Sequence, residues 1–154
     1  MDYKKALNLA ASLCSKKEYC CDDIRKKLLA WEIAPEDCSR ILDFLQKNKF
    51  IDEARFASFY ARDKFRFNRW GVQKIGLMLR QKGISSDIIR EALSTLDASE
   101  YETTCLSLLK QKLRAIHDTD ALQTKAKLFR FCLGRGFDYE TVRKCYDLLK
   151  KQEE

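Results

Sequence analysis

The chain has 154 residues, 45% of them apolar and 34% charged, with five Gly, one Pro and a net charge of +7. A chain of this length buries roughly two thirds of its surface on folding, so it needs neither a metal nor disulfides for stability. The abundance of Lys, Glu, Leu, Ala and Arg leaves little room for a sheet.

The N-terminus, Met1-Asp2-Tyr3-Lys4-Lys5, is not followed by an apolar run long enough for a signal peptide or a membrane span. A cytoplasmic protein with no membrane association is expected. The seven cysteines (14, 20, 21, 38, 105, 132 and 145) suit a reducing compartment. Their number is odd, two are adjacent, and none forms a Cys-x-x-Cys pair, which argues against a disulfide framework or a zinc site. Most fall at apolar helix positions and read as small core residues.

In chain order, helices are expected at about residues 4–16, 52–66 and 99–116, each followed by two more. The reason is an internal repeat. Ile24, Leu28, Ile33, Cys38, Leu42 and Leu45 recur 51 residues later as Ile75, Leu79, Ile84, Ile89, Leu93 and Leu96. A further shift of 53 gives Leu128, Cys132, Phe137, Val142, Tyr146 and Leu149. An acid recurs in phase as Glu36, Asp87 and Glu140. Ile24/Leu28, Ile75/Leu79 and Leu128/Cys132 are one helical turn apart. Gly83 and Gly136 stand where a helix ends in a left-handed residue, with Glu32 at the same place in the first repeat. Pro35, Ser85 or Ser86, and Asp138 then open the next helix. The fold class is therefore all-α: three tandem three-helix repeats, residues 1–51, 52–97 and 98–154. Each is too small to bury its apolar face alone, so they should stack into an elongated, curved array.

The charge is concentrated. Window 62–82 holds seven basic residues and one acid, Asp63. Arg62, Lys64 and Arg66 precede a stretch, 69–82, that reads as one helix. On it Val72, Ile75, Met78 and Leu79 share one side, and Arg69, Gln73, Gly76 and Arg80 the other. With Lys74 and Lys82 these side chains could grip phosphate or carboxylate, Arg bidentately. The interleaved Phe65, Phe67 and Trp70 could stack on bases, but burial between repeats suits them better. For the cations the scarcity of acids favours a contact face over an ordinary solvated one. Asp52 suits a helix N-cap, and Arg55 and Arg62 lie two turns apart on one face. Their stronger reading is structural, a cap plus a salt bridge between the first two repeats.

Lys16, Lys17, Arg25, Lys26 and Lys27 are diluted by acids and read as a solvated face. Lys110, Lys112, Arg114, Lys125, Lys127 and Arg130 form a weaker contact candidate. His117, the only histidine, has no partner in sequence. No phosphate loop, dinucleotide fingerprint or histidine-paired metal motif occurs, and no carboxylate pair stands out as catalytic. No enzyme, metal or cofactor is expected.

Phe50-Ile51-Asp52-Glu53-Ala54-Arg55-Phe56-Ala57, continuing through Phe59 and Tyr60 to Arg62, resembles a motif of the RecX family. Trp70-Gly71-Val72-Gln73-Lys74-Ile75, Leu79-Arg80-Gln81-Lys82-Gly83-Ile84 and Phe131-Cys132-Leu133-Gly134-Arg135-Gly136-Phe137 resemble further elements of that family, in order, over nearly the whole chain. Many members carry a second Gly just ahead of the Gly71 position, where this chain has Phe67-Asn68-Arg69-Trp70. The resemblance implies three tandem three-helix repeats. It also implies a non-catalytic regulator that binds the RecA filament on single-stranded DNA and usually inhibits its ATP hydrolysis and strand exchange in recombination and repair; a monomer is expected. Of the residues above, Arg62, Lys64, Arg66, Arg69, Gln73, Lys74, Arg80 and Lys82 would make the contact with RecA or DNA. Asp52, Arg55, Phe56, Gly71, Gly83 and Gly136 would be structural. The alternative is a general DNA-binding protein of helix-turn-helix type. Against it, each repeat's third helix opens with acids, which repel phosphates. Weak, salt-sensitive binding to single-stranded DNA, with little sequence preference, is the expectation.

Overall fold

A computed structural model describes residues 1–117 and 119–153; Asp118 and Glu154, both within the expected third repeat, lie outside the described residues. Among the described residues there are nine α-helices and no strand. They are α1 (Tyr3–Lys16), α2 (Cys21–Ala30), α3 (Pro35–Lys47), α4 (Glu53–Asn68), α5 (Val72–Gln81), α6 (Ser86–Ser94), α7 (Ala98–Ala115), α8 (Ala121–Gly134) and α9 (Tyr139–Glu153). No helix is long and apolar enough to cross a membrane.

The second helix of each trio ends in the same way. At α2 the Ile33 N–H donates to the Leu28 carbonyl and the Glu32 N–H to that of Leu29. At α5, Ile84 and Gly83 donate to Leu79 and Arg80; at α8, Phe137 and Gly136 donate to Cys132 and Leu133. This is the paired-bond helix stop that needs a left-handed residue and is sealed by an apolar contact. The left-handed residues are Glu32 (φ 62°), Gly83 (φ 79°) and Gly136 (φ 97°). The apolar pairs are the repeat positions Leu28/Ile33, Leu79/Ile84 and Cys132/Phe137, all buried. Of the eighteen repeat positions fifteen are buried, and Leu93, Leu96 and Tyr146 are half-buried.

The chain packs as two compact units. The first comprises residues 1–60 and 79–92. Its core joins Ala6, Ala10 and Cys14 of α1, each four residues apart, to Ile24 and Leu28 of α2 and to Cys38, Ile41, Leu42 and Leu45 of α3. Each fully buried Leu or Ile contributes roughly 1.5–3 kcal/mol. The family-like motif at 52–56 organises the start of α4. Asp52 Oδ1 accepts from the Arg55 N–H at 3.0 Å, capping the helix. Arg55 Nε reaches Glu18 Oε1 at 2.7 Å, and its Nη2 meets the carbonyls of Lys49 and Phe50 at 3.2 and 3.4 Å. Phe56 is buried beside Tyr60, ring centroids 5.7 Å apart.

The second unit comprises residues 61–78 and 93–154. Its core runs from Phe65 through Tyr101 to Phe137, with ring centroids 5.8 and 4.9 Å apart. The Tyr101 hydroxyl is satisfied at both ends: it accepts from the Val72 N–H and donates to Asp138 Oδ1, each at 3.1 Å. Burial pushes the phenol up in pKa. Burial also pushes the Asp138 carboxyl up, but hydrogen bonds from Thr141, its own backbone and Tyr101 outweigh that and hold it low. Asp138 thus caps α9, as its place ahead of that helix predicts.

Six of the seven cysteines are buried, and Cys21 is half-buried. Cys105, Cys132 and Cys145 come one each from α7, α8 and α9 and meet in the second unit's core. Burial pushes the Cys14 and Cys20 thiols up to about 11 and that of Cys21 to about 12. In the second unit's core, hydrogen bonding from Cys105 holds Cys132 and Cys145 low instead, so burial is what protects those thiols: a thiol that cannot be reached does not react. Ellman's reagent at pH 8 should therefore leave the native protein almost untouched and titrate all seven thiols once denaturant is added. A native thiol reacting as fast as free cysteine would contradict this packing.

Candidate nucleic-acid interface

The cation-rich window does not form the single helix expected over 69–82. Helix α4 runs to Asn68, and α5 begins only at Val72. Arg69 lies between them in a left-handed conformation (φ 55°), so it does not share a helix face with Gln73. The break has a cause within the second unit. The Gly71 N–H donates to the Arg135 carbonyl and the Gln73 N–H to the Gly136 carbonyl, both at 2.9 Å. The start of α5 is therefore docked on the turn that ends α8. The approach is so close that a Cβ on Gly71 would overlap the backbone of Gly136 and Phe137, and one on Gly136 would overlap Lys74. Gly76, expected on the polar side, is buried with Ile75.

The aromatics also divide differently from the expectation of burial. Phe65 is buried against Tyr101. Phe67 is 82% exposed. Residues two positions apart on a helix, as these are, point about 200° apart, so both cannot face one core. Trp70 is half-buried and clasped by lysines, with Lys64 Nζ 5.0 Å and Lys74 Nζ 4.5 Å from its ring. Each such cation–π contact is worth roughly 0.5–1 kcal/mol at an exposed site.

The charged candidates have unequal surroundings. Ala61 and Phe65 turn inward on α4, which leaves Arg62 and Arg66, one turn apart, exposed. They line a small groove with Asp97 and Glu100, two acids that the sequence window does not contain. Arg69 is exposed and its Nη1 lies 3.4 Å from Gln111 Oε1 of α7. Gln73 is exposed on the first turn of α5. Within the first unit, Arg80 is exposed and Lys82 is half-buried. The Lys82 ammonium pairs with Asp23 Oδ1 at 2.9 Å, and Asp23 also accepts from the Cys20 N–H at the start of α2. Burial works against both charges. Their mutual hydrogen bond prevails, so Lys82 is raised and Asp23 lowered. Lys82 is thus committed to an ion pair inside its unit.

Sequence reasoning missed Arg135. Its Nη2 donates to the Asn68 carbonyl at 3.0 Å, and its guanidinium lies 5.8 Å from the Phe131 ring. Inside the second unit, Lys64 and Lys74 therefore clasp Trp70, with exposed Arg69 next to it in sequence, exposed Phe67 on the adjoining helix end, and half-buried Arg135 bonded to the Asn68 carbonyl. The cluster offers cations and an aromatic surface and no acid–base pair positioned for chemistry. No group of three or more His, Cys, Asp or Glu side chains among the described residues could hold a metal.

Two family models match the chain: "RecX, second three-helix domain" over residues 52–93 and "RecX, third three-helix domain" over residues 100–146. A regulatory protein RecX from Prosthecochloris aestuarii is 31% identical over 96% of this chain and 95% of its own length. One from Chlorobium phaeobacteroides is 32% identical over 95% and 94%. A Clostridium botulinum relative of the same name is 31% identical over 78% of this chain, but the match spans only 57% of that protein. Two crystal structures share the fold at 23% identity. One is titled regulatory protein RecX (TM-score 0.87, covering 94% of this chain and 71% of that one). The other is RecX from Lactobacillus salivarius (TM-score 0.84, covering 96% of each).

Proposed function

Since the chain belongs to the RecX family of regulatory proteins, we propose that it binds the RecA filament on single-stranded DNA and inhibits its ATP hydrolysis and strand exchange. It acts by occupancy, as a cytoplasmic monomer built of three repeats (1–51, 52–97 and 98–154), without a cofactor and without catalysis of its own. The observation that carries the reading is the pair Lys64 and Lys74 around Trp70, with exposed Arg69 next to it in sequence and Phe67 82% exposed on the adjoining helix end. Cations neutralise phosphates or acidic protomer surfaces, and an exposed ring adds contact that depends little on sequence. Base-specific reading by the third helices is disfavoured. Acids occupy the first turns of α3, α6 and α9: Glu36 and Asp37, Asp87, and Glu140. Negative charge there repels the phosphates flanking a groove.

The test is DNA-dependent ATP hydrolysis by the cognate RecA on single-stranded DNA, titrated with this protein. Inhibition well below one molecule per RecA is the signature of capping or cooperative disassembly. Inhibition only near stoichiometry is the signature of groove coating. No effect, with DNA binding retained, would overturn the regulator reading in favour of general DNA binding.

A further inference from the structure

The turn between the first two helices of the first trio carries a basic feature of its own. Tyr19 lies there, between α1 and α2, half-buried with its ring packed on the first unit's core. Lys17, at the end of α1, places its Nζ 4.8 Å from the ring, and Lys27 of α2 places its Nζ 5.8 Å away. Trp70 stands in the equivalent turn of the second trio, between α4 and α5, clasped by Lys64 and Lys74. The two aromatics hold the same repeat position. The shift of 51 residues that carries Ile24 onto Ile75 also carries Tyr19 onto Trp70. With the same turn, an aromatic and a lysine on either side of it in sequence, they are two copies of one device.

In the sequence, acids dilute the cations around Tyr19. In the fold those acids are engaged. Glu18 meets Arg55 Nε at 2.7 Å, Asp22 meets Lys26 at 3.1 Å and Asp23 meets Lys82 at 2.9 Å. Lys16 and Lys17 are exposed, and Lys27 is half-buried. An aromatic ring holds an ammonium group in place without neutralising it, so the charge stays available to an anion. The helix dipoles favour cations at Lys16 and Lys27, each in the last turn of its helix. That field does not bring ammonium groups from two segments onto one ring.

We propose that the α1–α2 turn is a further contact for single-stranded DNA, in which Lys17 and Lys27, held on Tyr19, and the adjoining Lys16 grip backbone phosphates. The assignment rests on the reading of the protein as a binder of the RecA filament on single-stranded DNA. It adds to that reading a contact in the first repeat, outside the residues that the two family models match. All three cations are lysines. An ammonium is a point charge that suits a phosphate in any orientation, whereas a surface selecting carboxylates in one geometry favours the arginine fork.

The experiment is fluorescence anisotropy of a labelled oligothymidylate across a KCl series, using the full chain. Single-stranded contacts contribute about 0.7 each to the log–log salt slope. The Lys16→Gln/Lys17→Gln/Lys27→Gln variant should show a slope shallower by about two and on the order of tenfold weaker binding. A control, Arg40→Gln/Arg90→Gln/Arg143→Gln, removes the same charge from residues paired with an acid of their own helix and should keep the slope. Lys17→Arg/Lys27→Arg should bind like the parent, which separates charge from folding. An unchanged slope in the lysine-to-glutamine variant, an equal loss in the control or in the arginine variant, or no binding by the parent overturns the contact. So does displacement of the strand by oligoglutamate as effectively as by unlabelled oligothymidylate, which would assign the turn to an acidic protein surface. RecA inhibition by the parent protein is scored separately. If inhibition persists while the slope is unchanged, the turn fails and the regulator reading stands. If inhibition is absent, the regulator reading fails, and the salt slope still decides whether the turn holds DNA.

Discussion

Gly136→Ala should destabilise the protein by roughly 4 kcal/mol or more, at the far end of what single substitutions do. Three costs coincide. The residue holds φ 97°, where an L side chain is strained by about 1–2 kcal/mol. Its new Cβ would overlap Lys74 Cβ and lie 2.7 Å from the Lys74 nitrogen. That nitrogen is helix backbone and cannot swing aside. Separating the two segments would also stretch the Gly71–Arg135 and Gln73–Gly136 hydrogen bonds, both 2.9 Å, each worth about 1 kcal/mol. Gly83→Ala is the matched comparison. It ends α5 with the same hydrogen-bond pattern at φ 79°, yet a Cβ there meets nothing within 4 Å. It should therefore incur the conformational cost alone, about 1 kcal/mol. In thermal melts this means about 2–4 °C for Gly83→Ala and 10 °C or more for Gly136→Ala. Equal losses would show that the backbone approach at Gly71 and Gly136 carries no energy of its own.

Those two glycines mark where the sequence stops being legible. Each helix stop is local, closed by residues within six positions, so its apolar pair recurs at a fixed interval. Leu28/Ile33, Leu79/Ile84 and Cys132/Phe137 could be picked out for that reason. Glu32 shows that the stop survives without glycine, since it adopts φ 62° in the same role. The meeting of Gly71 with Gly136 is not periodic. Nothing in a helical repeat marks which residues from distant segments will touch, and that meeting is what ends the helix expected over 69–82. The exposed Phe67 follows from α4 continuing to Asn68, two residues beyond the expected end at 66. The acids beside Arg62 and Arg66 come from the start of α7, outside the cation-rich stretch 62–82. The sequence therefore carries the architecture and the location of the excess charge. The fold decides which cations remain available, taking Lys82 into an ion pair and setting Arg62 and Arg66 beside Asp97 and Glu100.

Arg69 gives the sharpest functional expectation, because stability and activity should move in opposite directions. Charge reversal at Arg66, Arg69 and Arg80, all exposed, should leave helicity intact. It should weaken binding to the RecA filament on the order of a hundredfold at moderate salt, because Arg69 and Arg80 become repulsive and Arg66, beside Asp97 and Glu100, becomes a further acid there. Reversal alone does not distinguish a specific contact from a change in overall charge. Arg69→Gly changes the charge far less and adds a stability readout that charge alone does not set. The left-handed φ of 55° strains an L residue by about 1–2 kcal/mol, and glycine's extra entropy in the unfolded chain returns roughly 0.5–1 kcal/mol of that. The glycine variant should therefore be more stable by roughly 0.5–1 kcal/mol in urea while it inhibits RecA less well. A residue kept at a strained position for contact behaves this way; one present only for packing does not. If Arg69→Gly is stabilised and inhibits as well as the parent, the cluster around Trp70 is not the contact surface. The charge-reversal triple would then have to act through Arg66 or Arg80.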